Sequence, residues 1–169
     1  MTRGFTLIET LLYIAIIGTA VTSFVFFAFS ISEPRNKTYV VQEVQANMRT
    51  ATSLISQRIR EATGVNVDSS VFGSDPGVLS LVMADSSINP TVIDLSEDDG
   101  ILRIIEGAAN AVAITSSEVN VINLVFANLA PGGERESIRV AITIEFNNSS
   151  GDVEFDYTQN ATTTITIRQ

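Results

Sequence analysis

Arg3-Gly4-Phe5-Thr6-Leu7-Ile8-Glu9 opens an apolar run that continues to Ile31, and from Phe5 to Ile31 Glu9 is the only charged side chain. About 20 apolar residues, each rising roughly 1.5 Å in a helix, cross the hydrocarbon core of a bilayer, so the run is long enough to span one. The carboxylate near its N-terminal end is an anomaly. A charge inside a membrane helix costs about 2.5–3.5 kcal/mol on insertion scales and less near an interface. A chain that keeps Glu9 there is expected to provide a partner for it. The leader is a second anomaly. Met1 to Gly4 carries one positive charge and ends on a small residue in front of the apolar run, whereas a secretory signal peptide has its small-residue cleavage site behind the run. A cut after Gly4 would leave the whole hydrophobic segment on the mature protein.

Within the run, Ala15, Gly18, Thr19 and Thr22 are small enough to let helices approach closely. Pro34 then predicts either a kink at the membrane surface or a short break. Beyond it, Val40, Val44, Met48, Ala51, Ile55, Ile59 and Ala62 recur at steps of three and four, which is one apolar stripe of an amphipathic helix. Gln42, Glu43, Asn47, Arg49, Gln57, Arg60 and Glu61 fall largely off the stripe, and Gly64 reads as a C-terminal stop. Residues 5–63 are therefore expected to form one long helix of roughly 85–90 Å, with a membrane half over 5–31 and an amphipathic half over 32–63 whose stripe needs a domain to cover it.

Residues 64–169 alternate like strands. Candidates are 77–83, 91–95, 101–105, 111–115, 119–126, 137–146 and 162–168; the clearest is 137–146, with apolar side chains at Ile138, Val140, Ile142, Ile144 and Phe146. Breakers such as Asn89-Pro90, Asp98-Asp99-Gly100 and Pro131-Gly132-Gly133 separate them. Parallel units would need intervening helices, so antiparallel hairpins fit better. The expected class is α+β, a long N-terminal helix packed against an antiparallel β-sheet head.

Composition limits the chemistry. The 169 residues carry 10 Lys and Arg against 19 Asp and Glu, a net charge of −9, with Lys37 the only lysine. That argues against nucleic-acid binding by the bulk surface, which needs clusters of Lys and Arg. Cys and His are both absent, which excludes disulfides, thiol chemistry, Ser-His-Asp triads and His-ligated zinc. Glu97-Asp98-Asp99-Gly100 lacks the spacing of a calcium loop and reads as a polar hairpin turn. Glu154 and Asp156 alternate onto one strand face as solvated carboxylates. Four glycosylation sequons, beginning at Asn36, Asn147, Asn148 and Asn160, are too short a pattern to carry weight. No pair or triad of side chains supports a catalytic proposal, and no cofactor or metal is expected.

Gly4-Phe5-Thr6-Leu7-Ile8-Glu9 resembles the type III signal of type IV prepilins and type II secretion pseudopilins: Gly before the cut, Phe after it, three residues, Glu as the fifth mature residue, then an uninterrupted apolar helix. The resemblance implies that residues 1–4 are a leader removed by a prepilin peptidase between Gly4 and Phe5. It also implies that Phe5 becomes N-methylated and that Glu9 is the assembly glutamate. On that reading the Glu9 carboxylate neutralises the Phe5 ammonium of a neighbouring subunit, a pairing strong enough in a low dielectric to set axial register. The layout of the head, with Ser96 to Gly100 turning before Ile101-Leu102-Arg103 and strands near Val121–Phe126 and Ile138–Phe146, is similar to the larger minor pilins and pseudopilins of the J and W types. The partners implied are prepilin peptidase, other pilin or pseudopilin subunits, an inner-membrane assembly platform and membrane lipid. The implied location is a single pass through the inner membrane, with the N-terminus cytoplasmic and the head outside. Flanking charge does not decide that orientation, because Arg3 lies on one side and Arg35 and Lys37 on the other. The competing expectation is a membrane-anchored binding module whose head recognises an envelope ligand and whose helix only tethers it.

Overall fold

The computed structural model of the chain describes residues 6–130 and 136–167, with the side chains of residues 31–36 and 154 outside that description. It is an α+β fold. Among the described residues, one α-helix, α1 (Leu7–Glu61), is followed by eight strands. The chain divides into two compact units, Met1–Tyr39 and Val40–Gln169. The amphipathic part of α1 thus belongs to the same unit as the strands. α1 includes Pro34, so the short break weighed for that position is not found.

In the first unit, Leu7–Ser30 is apolar enough and long enough to cross a membrane and has none of its length buried within the protein. Its 24 residues span about 36 Å at 1.5 Å per residue. The largest exposures fall on Leu7, Ile8, Phe24, Phe26 and Phe29, each above 70%. Soluble monomers rarely expose a contiguous apolar surface of this extent. Several hydroxyls along it bond to the helix's own carbonyls. Thr19 donates to Ile16 O at 2.9 Å, Thr22 to Gly18 O at 2.8 Å and Ser30 to Phe27 O at 3.2 Å. These residues therefore place no polar demand on an apolar surrounding.

In the second unit the expected stripe is the floor of the core. Val40, Val44, Met48, Ala51, Ile55, Ile59 and Ala62 are all buried. The helix stops at Glu61, two residues before the expected end, because Ala62–Val65 leaves as strand β1 and pairs with β2 (Leu79–Met83). Gly64 sits within β1, beside a register irregularity, and is not a helix cap. β3 (Thr91–Leu95), β4 (Leu102–Glu106) and β5 (Val112–Ala113) complete a five-stranded antiparallel meander in chain order. β6 (Val119–Asn128), β7 (Ser137–Phe146) and β8 (Thr158–Thr166) form a separate three-stranded antiparallel sheet. The last strand begins four residues earlier than its apolar pattern suggests, since Thr158 to Thr162 extend without apolar alternation. Residues Val153–Phe155 form a short 3-10 turn, so Glu154 and Asp156 are not on a strand. Asp156 instead accepts a hydrogen bond from Asn148 Nδ2 at 2.7 Å, which ties down the loop before β8.

Both sheets contribute to one hydrophobic cluster with α1: Leu79, Leu81, Ile93 and Leu102 from the first, Leu124, Phe126, Ile142 and Ile165 from the second. Each such side chain contributes about 1.5–3 kcal/mol on full burial. Polar contacts fix the alignment. Asn47, expected off the stripe, is buried and accepts the Ser116 N–H at 2.8 Å, while Ser116 Oγ donates to Glu43 at 2.9 Å. Arg58 pairs with Glu61 at 2.8 Å and Glu106 at 2.6 Å, joining the end of α1 to β4. The Glu61 carboxyl is held below its ordinary value, first by the Gln57 side chain and then by Arg58. Arg103 grips Asp94 with two hydrogen bonds across the β3–β4 pair, and that carboxylate raises the guanidinium's pKa.

The sheets are also joined where the loop before β2 meets the outer edge of β6. Gly77 N–H donates to Leu124 O at 2.7 Å, Gly73 N–H to Phe126 O at 2.8 Å, and Asp75 Oδ1 accepts the Leu124 N–H at 2.8 Å. A Cβ on Gly77 would lie 2.9 Å from Leu124 O, so only glycine permits that approach.

Two outcomes are expected in chemical denaturation. Ile55→Ala should lower stability by about 2–5 kcal/mol, the range for emptying a buried aliphatic site. Gly77→Ala should lower it by about 1–3 kcal/mol through steric conflict with β6, whereas Gly64→Ala, whose Cβ would meet nothing closer than 3.9 Å, should change it far less.

Candidate functional site

The first turn of α1 holds the one charged group of the apolar segment. Thr6 precedes the helix, and its Oγ1 accepts the Glu9 N–H at 3.4 Å, a long hydrogen bond. Thr10 donates to Thr6 O from its backbone N–H and its hydroxyl, both at 3.2 Å. Thr6 is therefore the N-cap, satisfying one of the backbone donors that the start of any helix leaves open. Thr6-Leu7-Ile8-Glu9 has the spacing of a capping box, and that spacing by itself marks Thr6 as a cap. Only half of the box is formed. The Glu9 carboxylate makes no hydrogen bond or ion pair with the described residues of its own chain. It is exposed beside Leu7, Ile8 and Leu11. Placing a carboxylate at the helix N-terminus is favourable by about 0.3–1 kcal/mol, which suits Glu9 at N3.

Gly4 and Phe5, the expected peptidase and methylation positions, lie outside the described residues.

The other sequence candidates lie in the head. Glu97 to Gly100 form the turn between β3 and β4, closed by the Ser96 N–H to Ile101 O bond of 2.9 Å, with Gly100 at φ +60°. Gly100 is thus needed for the turn itself. Asp98 and Asp99 open onto a cleft they share with Ser117, Asn120 and Asn147. Among the described residues, no group of three or more His, Cys, Asp or Glu is gathered to hold a metal ion. No family model, no curated protein and no solved structure matches this chain.

The capping contact has its own test. Thr6→Ala should fray the first turn by about 0.5–2 kcal/mol, read as faster amide exchange over Leu7 to Leu11 in detergent micelles with the head unchanged; unaltered exchange would refute the capping role.

Proposed function

We propose that this chain is a structural subunit, a minor pilin or pseudopilin, of a type IV pilus-like or type II secretion filament. The observation that carries the reading is the Glu9 carboxylate. It is the lone charge on an apolar helix that is exposed from Leu7 to Ser30, and no described residue of its own chain partners it. An anchor that meets only lipid gains nothing from such a group, because a carboxylate in hydrocarbon is unfavourable until a cation joins it. A neighbouring copy's N-terminal ammonium, freed by a cut between Gly4 and Phe5 and methylated on Phe5, is that cation. Helices of this kind packed side by side would cover the exposed Leu7 to Phe29 surface, with Ala15, Gly18, Thr19 and Thr22 admitting close approach. The chain would sit in the inner membrane with its N-terminus in the cytoplasm and its head outside. Its partners would be prepilin peptidase, an assembly platform, lipid and other subunits. An assembly motor would supply the mechanical work, and the subunit would need no active site.

Glu9→Val and Glu9→Leu should insert in the membrane and be trimmed normally. Both should enter filaments roughly tenfold less or worse, equivalent to about 1.4 kcal/mol or more of lost pairing. Intact mass of the membrane-extracted protein should give a chain beginning at methylated Phe5. A chain still carrying Met1 or Thr2 in a host with the peptidase, together with normal behaviour of the Glu9 variants, would favour the tethered binding module.

A further inference from the structure

A sheet edge displays unpaired backbone donors and acceptors, and folded proteins blunt such edges with shortness, bulges, charges, prolines or covering loops. Among the described residues, three of the four sheet edges are managed in that way. β5 has two residues. β1 has four, an irregular register, and the Val65 N–H donating to Glu136 Oε2 at 3.1 Å. β6 is covered by Gly73, Asp75 and Gly77 and, through the Val121 N–H to Gly100 O bond, by the β3–β4 turn.

β8 is the exception. It runs nine residues, Thr-Gln-Asn-Ala-Thr-Thr-Thr-Ile-Thr, with no charge, proline or glycine and an unbroken register along β7. Ile167 donates to Glu136 O at 2.9 Å and Phe146 to Tyr157 O at 3.0 Å. Antiparallel pairing alternates, so the odd-numbered residues of β8 bond to β7. The N–H and C=O of Thr158, Asn160, Thr162, Thr164 and Thr166 point away from the sheet, and none has a partner among the described residues. Charge along the edge is graded: Glu145 lies opposite Thr158 at its start, and cations gather toward its other end. In a chain of net charge −9, Arg60 shares a surface recess with Thr164, Ile165 and Thr166, and Arg139 lies opposite Thr164 across the β7–β8 register. Both arginines are exposed and form no ion pair among the described residues.

We propose that the outer edge of β8 docks an extended, carboxylate-bearing segment of a partner protein subunit, which adds to the sheet as a fourth strand. The backbone of Thr158 to Thr166 supplies the hydrogen bonds, and Arg60 and Arg139 select acidic side chains. This docking involves only the head and stands whether or not the Glu9 reading does.

The test uses the full chain in detergent micelles and two synthetic nine-residue peptides, one alternating Val and Thr with Glu, the other carrying Lys in place of Glu. The acidic peptide should slow amide exchange at Thr158, Asn160, Thr162, Thr164 and Thr166 and bind roughly tenfold or more tightly than its lysine counterpart. Thr162→Pro removes one outward N–H at a position where an edge strand accepts proline, and it should abolish binding. Arg60→Glu combined with Arg139→Glu alters only exposed side chains and should reverse the preference between the peptides. Absence of protection by the acidic peptide, equal binding of both peptides, or self-association of the chain through β8 lost in Thr162→Pro would each overturn the proposal. Normal filament entry of Glu9→Val would leave it untouched.

Discussion

The apolar stripe of α1 from Val40 to Ile59 must be kept from water, and the rest of the head is arranged to do so. Two antiparallel sheets share the task, each offering one apolar face to a common cluster. The stripe continues into Ala62, which is buried as the first residue of a strand, so α1 is linked to the first sheet by backbone as well as by packing. Removal of a side chain such as Ile55 therefore loosens both sheets at once.

Two sheets on one helix still have to be held in register with each other. That work falls to polar groups between elements. Asn47 and Glu43 hold the start of the β5–β6 connection to the helix, and Arg58 holds β4. Asp75, Gly73 and Gly77 attach the first sheet's leading loop to β6. These contacts also cover a sheet edge, so one device both aligns the layers and blocks unwanted pairing. Along β8 the outward backbone groups of the threonines and Asn160 have no such cover among the described residues.

The unit Met1–Tyr39 follows the opposite logic. Its helix is apolar around its circumference, the hydroxyls of Thr19, Thr22 and Ser30 bond to its own carbonyls, and none of Leu7–Ser30 is buried in the chain itself. What has no partner among the described residues is the Glu9 carboxylate. In water that would be trivial. In an apolar surrounding it is the dominant electrostatic fact of the segment.

Local pattern alone determined much of this protein. A long run without charge can only be an exposed apolar helix or a core, and steps of three and four from Val40 to Ile59 have one helical solution. The alternation from Ser137 to Phe146 likewise fixed β7 residue for residue, because a strand with one buried face repeats every two positions. The spacing of Thr6 to Glu9 also carries a cap signal, although the apolar run alone placed the helix start at Phe5 and not at Leu7. Tertiary structure decided what local pattern cannot encode. Ala62-Thr63-Gly64-Val65 has no periodicity of its own and became a strand because β2 lies beside it. Residues Val153 to Asp156 alternate yet form a turn, held by Asn148. Asn47 is polar on an otherwise exposed flank and is buried because Ser116 arrives from a distant part of the chain. The division of the strands into two sheets and the contrast between the covered edge of β6 and the open edge of β8 are properties of pairing between remote segments. They depend on which backbone groups find partners in three dimensions.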